Sequence, residues 1–314
     1  MLSRRHIRIK VLQALYEYFQ DEENRGIAGG ERKLVQSIDD IFKLYLYELK
    51  TLVDILRTAE DQVEHKRNKR LPSPEDINPN LRFVNNRFLQ WLNNNHIFMR
   101  EVDKNKISWG DDREVIRKIF REFQASKEYG DYMSATEDSV QADKKIIKVL
   151  YGKFLVHNDT VHQLYEDRNM HWADDLDAAQ MMVAKTLKGF DEEKDEVSEL
   201  PHLLKDDSDI EFARILYRTT IKNSEAYGEM IHAKANNWEM DRIAVVDVIL
   251  MKMALAELVS FNEIPVKVTL NEYIELSKEY STPKSGNFIN GILDKLKDEL
   301  TEAGDIRKIG RGLL

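Results

Sequence analysis

Cysteine is absent from the 314-residue chain, and its absence excludes disulfide bonds, thiolate catalysis and cysteine-ligated zinc sites. Proline and glycine are scarce, with only 6 and 13 residues. Strand-rich folds need more turn-forming residues than this, and a charged fraction of 33% indicates long polar faces. The composition therefore predicts an all-α protein, and the lack of cysteine favours a reducing compartment.

Long apolar runs are also missing. The most apolar stretch, residues 243–261, is interrupted by Asp247, Lys252 and Glu257, and no apolar segment follows the basic N-terminus as it would in a signal peptide. We therefore expect a cytoplasmic protein that does not enter a membrane. Because the chain is longer than a usual single domain, we expect two domains or one core with a large insertion.

The start of the chain differs in charge from the rest of it. The net charge is -9, yet residues 4–19, RRHIRIKVLQALYEYF, contain no carboxylate before Glu17. The cations of this segment are Arg4, Arg5, Arg8 and Lys10. Nucleic-acid binding depends on local potential rather than on total charge, so the segment is a candidate for RNA contact. The alternative is a solvated helix end, because cations there oppose the helix dipole only slightly.

Residues 4–20 are predicted to form one amphipathic helix with Ser3 as its N-cap. A helical projection gives a buried stripe of Ile7, Val11, Leu12, Ala14, Leu15, Tyr18 and Phe19. Its border contains Arg5, Ile9, Gln13 and Tyr16, and its solvent face contains Lys10, Glu17 and Gln20. Arg4 and Arg8 project on the apolar side, so we expect them where the helix overhangs the core or where its first turn deviates.

Helical patterns cover most of the remaining chain. After a pause at residues 21–30, the predicted helices are 31–70, 81–100, 112–129, 136–169, 172–189, 209–235, 241–261, 269–281 and 287–302. The proline-rich segment LPSPEDINPN ends the second helix. The acidic segment 191–209 is predicted to be a linker or solvated turn, and the last dozen residues a frayed tail.

Two motifs stand near the C-terminus. In PVKVTLNEYIELSKEY, residues 265–280, Thr269 and Glu272 have the spacing of a capping box, and Val268 and Tyr273 that of a hydrophobic staple. In GNFINGILDKL, Gly291 lies inside a helical pattern, where it costs about 1 kcal/mol relative to alanine. We therefore expect another backbone to approach this glycine closely.

Together these motifs resemble the NusB family of bacterial transcription antitermination factors. The C-terminal positions that carry the resemblance are Glu257, Leu258, Pro265, Lys267, Val268, Asn271, Glu272, Ile274, Glu275, Leu276, Lys278, Phe288, Asn290, Gly291, Leu293 and Asp294. RRHIRIKVLQALY is similar to the N-terminal RRxARxxALQALY helix of that family through Arg4, Arg5, Arg8, Gln13, Ala14, Leu15 and Tyr16. The resemblance does not extend over the middle of the chain.

The resemblance implies a bundle of two packed helical subdomains, enlarged here by an additional helical region. The expected organisation is an N-terminal RNA-binding helix at 1–20, a helical insertion of unknown role at 21–206, a C-terminal NusB-like subdomain at 207–302 and a tail at 303–314. The implied partners are single-stranded boxA RNA of nascent ribosomal RNA transcripts, the small-subunit ribosomal protein NusE, and the RNA polymerase antitermination complex. The implied function is suppression of premature termination.

The expected RNA-binding residues form two groups. They are Arg4, Arg5, Arg8, Gln13 and Tyr16 in the first helix, with Lys284, Asn287 and Phe288 in the second group, where the resemblance implies an RNA surface. Arginine contacts phosphate, glutamine a base edge, and tyrosine stacks on a base. The sequence TPKSGN, residues 282–287, departs from the acidic or small polar residues common in the family and adds positive charge.

Other functions have weaker signals. The basic run at 65–70, HKRNKR, could extend an RNA path or simply complement a helix end. His157 and His162 lack the spacing of a helical metal site, and no Gly-rich phosphate loop or nucleophile elbow is present, so we predict neither an enzyme nor a cofactor. The alternative to RNA binding is a helical protein-interaction scaffold in ribosome assembly without direct RNA recognition.

Overall fold

A computed structural model describes residues 2–21, 26–191, 193, 198–235 and 243–313. All regular secondary structure in these ranges is helical, which confirms the predicted all-α fold. The helices are α1 (Arg4–Gln20), α2 (Ile27–Arg67), α3 (Pro74–Ile77), α4 (Arg87–Asn94), α5 (His96–Lys104), α6 (Arg113–Gln124), α7 (Lys127–Ser134), α8 (Val140–Leu150), α9 (Asp159–Arg168), α10 (Trp172–Gly189), α11 (Asp207–Lys222), α12 (Ser224–Lys234), α13 (Val245–Ser260), α14 (Val266–Tyr280) and α15 (Ser285–Glu302). No helix in the described ranges is both long and apolar enough to span a membrane.

Asparagine side chains divide two of the predicted helices. The Oδ1 atom of Asn95 accepts a hydrogen bond from the backbone N–H of Phe98 and thereby caps α5, so residues 81–100 do not form one helix. Asn158 caps α9 in the same way. A π-helical turn at Tyr151–Leu155 follows α8 directly. The predicted helix 136–169 is therefore two helices.

The chain divides into two compact units. The first unit is Asp39–Leu203, and the second combines Leu2–Ile38 with Leu204–Leu314. The long helix α2 contributes its first part to the second unit and the remainder to the first. Each unit has a buried core made from its own helices.

Aromatic side chains fill much of the core of the first unit. Tyr47, Trp109, Tyr165 and Trp172 form a cluster with ring centroids 5.6 to 6.1 Å apart. The indole nitrogen of Trp109 donates to the hydroxyl of Thr51 at 3.1 Å, so its polar atom is satisfied within the core. The first unit therefore has a buried aromatic core of its own.

Helix α13 is the centre of the second unit. It contacts α1, α11, α12, α14 and α15, and most of its side chains are buried around the whole circumference. This arrangement agrees with the sequence, since a helix that is apolar on nearly all sides must be surrounded by neighbours. The N-terminal helix is therefore part of the same bundle as the C-terminal helices.

The predicted capping box at Thr269 is wrong. Helix α14 begins three residues earlier, at Val266 with Pro265 as its N-cap, since proline at a helix start gives up no intrahelical hydrogen bond. Thr269 is consequently inside the helix and buried. The staple is wrong as well, because Val268 is exposed whereas Tyr273 is fully buried.

The C-terminal residues are packed rather than frayed. Lys308 Nζ donates to the carbonyl oxygens of Leu258 and Phe261, both at 2.9 Å, and so caps the end of α13. The backbone N–H of Ile309 donates to the carbonyl of Asn262 at 3.0 Å. A Cβ atom on Gly312 would lie 2.0 Å from that carbonyl oxygen, so only glycine fits there.

The expected close approach of another backbone to Gly291 is wrong. Apart from the backbone of its own helix, no heavy atom of the described residues lies within 4 Å of the position where its Cβ would be, so no other described backbone approaches it closely. Nothing in the structure explains the glycine at this position.

Candidate functional site

The base of the candidate site is an ion pair between α1 and α13. Arg8 donates from Nε and Nη2 to the two carboxylate oxygens of Glu257, at 2.8 and 2.7 Å. The same carboxylate accepts hydrogen bonds from the hydroxyls of Thr269 and Tyr273, each at 2.9 Å. Burial alone would lower the pKa of Arg8, but the hydrogen bonds and charge of Glu257 outweigh it and raise that pKa.

Arg8 is therefore not available to an RNA strand in this structure. Its side chain is only 3% exposed, and its guanidinium lies 5.4 Å from the ring centroid of Phe212. The helical projection placed Arg8 on the correct side of α1, but the expected overhang is wrong, because a buried carboxylate meets the charge inside the bundle. Lys10, predicted to face solvent, is also buried, at 1% exposure.

Arg5 lies at the surface beside Arg8. It donates from Nε and Nη2 to Glu272 of α14, both at 3.0 Å, and its side chain is 39% exposed. The hydrogen bonds from Arg5 to Glu272 raise the pKa of the guanidinium, and the charges of Glu279 and Glu275 add to this effect. Arg5 is thus an accessible cation next to three carboxylates of α14, which are Glu272, Glu275 and Glu279.

Arg4 is the most exposed of the three arginines. Its side chain is 43% exposed, its Nε atom lies 3.7 Å from Asp209, and its guanidinium carbon lies 4.8 Å from the ring centroid of Phe212. A guanidinium at this distance from an aromatic ring is held by a cation–π interaction. Phe212 therefore positions Arg4 while leaving its charge open to solvent.

Gln13 and Tyr16 lie further along α1 on the side of Arg5, whereas Arg4 projects toward α11, where it contacts Asp209 and Phe212. Gln13 is half-buried, and its amide oxygen accepts a hydrogen bond from Lys10 Nζ at 3.3 Å. Tyr16 is 45% exposed, so a large part of its ring is open to solvent. We call Arg4, Arg5, Gln13 and Tyr16 the α1 strip.

The second predicted group lies at the start of α15. Lys284 is the N-cap residue of this helix, and both Lys284 and Asn287 are exposed, whereas Phe288 is half-buried. The loop before the helix is fixed by Ser285, whose hydroxyl donates to Asp247 at 2.7 Å and accepts from the backbone N–H of Thr282 at 3.2 Å. We call Lys284, Asn287 and Phe288 the α15 start.

Both groups belong to the second unit. Helix α14 connects them, because its Glu272 holds Arg5 and its C-terminal end leads into the loop that carries Lys284. The sequence did not reveal Glu257 and Phe212 as the groups that hold Arg8 and Arg4. A signal for Glu257 was present, since a carboxylate in a helix that is apolar on nearly all sides is seldom buried without a partner.

The structure is that of an all-helical protein in which a buried ion pair joins the N-terminal helix to a C-terminal helical bundle. The surface next to this ion pair contains cations, an amide and an aromatic ring. A family model described as the NusB family matches residues 175–298. The transcription antitermination protein NusB of Salinibacter ruber is 40% identical over 142 residues, which cover 43% of this chain and 89% of the relative. The chain belongs to the NusB family.

Two further relatives match shorter stretches. The transcription antitermination protein NusB of Chloroherpeton thalassium is 41% identical over 99 residues, which cover 32% of this chain and 47% of the relative. That of Natranaerobius thermophilus is 38% identical over 84 residues, which cover 27% and 60%. No solved structure matches the chain.

Proposed function

We propose that this chain is an RNA-binding transcription antitermination factor. It recognises boxA-type single-stranded RNA of nascent ribosomal RNA transcripts and acts with NusE and RNA polymerase to suppress premature termination. The observation that carries the proposal is the α1 strip, in which Arg4, Arg5 and Tyr16 are partly exposed and Gln13 is half-buried, in a member of the NusB family.

The α1 strip has the chemistry that single-stranded RNA requires. Arg4 and Arg5 attract phosphates, Gln13 presents an amide to a base edge, and the exposed ring of Tyr16 offers a surface on which a base can stack. Stacking on an aromatic ring contributes about 1–3 kcal/mol per base. Tyr16 is therefore expected to contribute strongly to the affinity.

The ion pair of Arg5 with Glu272 is compatible with RNA binding. Glu272 accepts from Nε and Nη2, whereas a guanidinium has five N–H donors in total. The Nη1 group of Arg5 is left for a phosphate oxygen. Arg5 can thus keep its protein partner and still contact the strand.

The α15 start supports the same proposal. Lys284 stands at the N-terminus of an 18-residue helix, where the helix dipole also favours a negatively charged group. Asn287 adds an exposed amide one turn into the helix, and Phe288 adds the edge of a ring. Two separate groups of this kind can contact successive nucleotides of one strand.

A second candidate function is a helical protein-interaction scaffold in ribosome assembly without direct RNA recognition. It is favoured by the size of the first unit, which has its own aromatic core and lies largely outside the family match. In this alternative the first unit provides the active surface, and RNA contact by the second unit is incidental.

Gel shifts with the ribosomal RNA leader, with and without NusE, distinguish the two functions. We expect a shift that depends on boxA, that NusE strengthens, and that Tyr16→Ala weakens roughly tenfold or more. Binding of NusE without RNA, and no shift under either condition, would favour the scaffold.

A further inference from the structure

A groove in the first unit is lined by amide, cationic, acidic and aromatic side chains. It lies between the C-terminal end of α2, the loop before α4, and helices α6 and α7, with a cavity volume of about 480 Å³. The polar and aromatic side chains that line it include Gln62, Lys66, Glu75, Asn78, Gln124 and Tyr129. A cavity of this size is within the range of small-molecule sites, about 300–1,000 Å³.

Amide groups in the groove wall have unused hydrogen-bonding capacity. Gln124 Nε2 donates to Gln62 Oε1 at 3.0 Å, and this contact orients the NH2 group of Gln62, which has no hydrogen-bond partner among the described residues. In the described part of the chain, the side chain of Asn78 has no hydrogen-bond partner and is exposed. Amides with free donors and acceptors are the groups that read base edges.

A run of exposed cations begins at the groove wall with Lys66 and continues along the sequence. Lys66, Arg67, Lys69 and Arg70 are all exposed, and Lys66 lines the cavity itself. Lys69 is paired with Asp76 at 3.0 Å, but none of the other three has a carboxylate within 4 Å among the described residues. These cations complement the C-terminal end of α2, and three of them are also open to phosphate groups.

Glu75 decides between two possible occupants. An acidic peptide would be attracted by the cations but repelled by this carboxylate in the groove wall. A nucleobase has exocyclic amino groups that can donate to a carboxylate, as cytosine does to glutamate. The combination of amides, one carboxylate, a tyrosine ring and exposed cations therefore favours a nucleotide.

We propose that this groove binds a nucleotide of single-stranded RNA that lies outside boxA. The base contacts Gln62, Asn78 and Glu75, and Lys66, Arg67 and Arg70 contact the phosphates. The inference rests on the proposed function for the boxA contact, but the groove itself belongs to the first unit, which lies largely outside the family match.

Fluorescence anisotropy with three labelled oligonucleotides tests the proposal: boxA alone, boxA extended by unpaired nucleotides, and the extension alone. We expect the extended RNA to bind more tightly than boxA alone. Gln62→Ala with Asn78→Ala should weaken binding of the extended RNA about tenfold and leave boxA unchanged. Lys66→Ala with Arg67→Ala should reduce the salt slope by about 0.7 for each phosphate that the variant no longer neutralises.

Arg100→Ala with Lys104→Ala is the matched control, because both residues are exposed cations of the same unit on α5. It should bind all three RNAs as the unmodified protein does. Thermal unfolding should be the same for all variants, since the substituted side chains are exposed or half-exposed.

The outcomes separate the two proposals. If boxA binds but the extension adds nothing and the groove variants change nothing, the nucleotide site is wrong while the proposed function stands. If boxA fails to bind but the extension binds and the groove variants abolish that binding, the nucleotide site stands and the proposed function fails. If polyglutamate displaces the extended RNA and the same variants weaken polyglutamate binding, the groove is a site for an acidic protein and the inference is overturned.

Discussion

Arg8 of α1 and Glu257 of α13 are 249 positions apart in the chain and are joined by two hydrogen bonds of 2.8 and 2.7 Å. Their side chains are 3% and 0% exposed. Because a buried charge is tolerated only with its partner, this pair ties the first helix of the chain to the central helix of the second unit. The α1 strip is thereby held in a fixed orientation on that unit.

Arg8→Ala is expected to destabilise the protein by roughly 3–5 kcal/mol, because it leaves the carboxylate of Glu257 buried without its charge partner. Urea unfolding measures the change. Arg4→Ala is the control, since its partly exposed ion pair should contribute less than about 1 kcal/mol. Arg8→Met combined with Glu257→Gln should recover part of the stability, as both charges are then removed. A destabilisation below about 1 kcal/mol for Arg8→Ala would contradict the structural role.

Glu48 gives the first unit a specific dependence on pH. Burial raises the pKa of its carboxyl group from 4.5 to about 7, and the hydroxyls of Tyr151 and Tyr165 only partly oppose this. Between these two values the folded protein holds a proton that the unfolded chain has released. Stability therefore falls as the pH rises through this window and is not regained above pH 7.

The comparison of the unmodified protein with Glu48→Gln isolates this effect. As the pH rises from 4.5 to 7, the unmodified protein should lose stability relative to Glu48→Gln. The difference between their free energies of unfolding should change by an amount on the order of 3 kcal/mol. Urea unfolding at several pH values measures the difference. Parallel curves for the two proteins would show that Glu48 is not protonated in the folded state.

Two adjacent glycines near the start of α2 should respond in opposite ways to alanine. A Cβ atom on Gly30 would lie 2.0 Å from the hydroxyl of Tyr217, which is buried. A Cβ atom on Gly29 would have no heavy atom of the described residues within 4 Å, apart from the backbone of its own helix. Gly30→Ala should destabilise by about 1–3 kcal/mol through overpacking. Gly29→Ala should stabilise by about 0.4–1 kcal/mol, because the unfolded chain loses freedom.

Thermal unfolding of the two glycine variants measures this difference directly. Tyr217→Phe should relieve part of the clash in Gly30→Ala, because the nearest contact is the hydroxyl oxygen. The same replacement alone should cost little, because that buried hydroxyl has no hydrogen-bond partner among the described residues. Equal effects of the two glycine substitutions would contradict the contact.

The sequence predicted the fold class, whereas it did not predict that Arg8 is buried. Low proline and glycine content and helical periodicity were sufficient for the all-α fold, because both are local properties of the chain. The fate of Arg8 could not be predicted, since its partner Glu257 is separated from it by most of the chain. The predicted start of α14 is wrong because Thr269 satisfies only a local capping pattern. In the structure Pro265 is the N-cap residue, and the hydroxyl of Thr269 is buried and donates to Glu257.

Arg4→Ala with Arg5→Ala should weaken binding of boxA RNA and reduce its salt dependence. The salt slope should fall by about 0.7 for each phosphate that the variant no longer neutralises. Filter binding at several salt concentrations measures both quantities. Arg32→Ala with Lys222→Ala, which removes two exposed cations of α2 and α11, is the control and should leave the slope unchanged. Unchanged affinity and slope in the Arg4 and Arg5 variant would exclude the α1 strip as the RNA contact.

Glu272→Gln should increase the affinity for boxA RNA. The carboxylate of Glu272 engages Nε and Nη2 of Arg5 and adds a negative charge beside the proposed path of the strand. Glutamine keeps the side-chain length and one carbonyl acceptor but removes this charge, so more of the guanidinium charge is available to phosphate. Titrations at low and high salt measure the effect, and the gain should be larger at low salt, where electrostatic interactions are less screened.

Glu302→Gln removes an exposed carboxylate at the far end of α15 and should not change the affinity. A lower affinity in Glu272→Gln alone would mean that the ion pair positions Arg5 for RNA rather than competing with it.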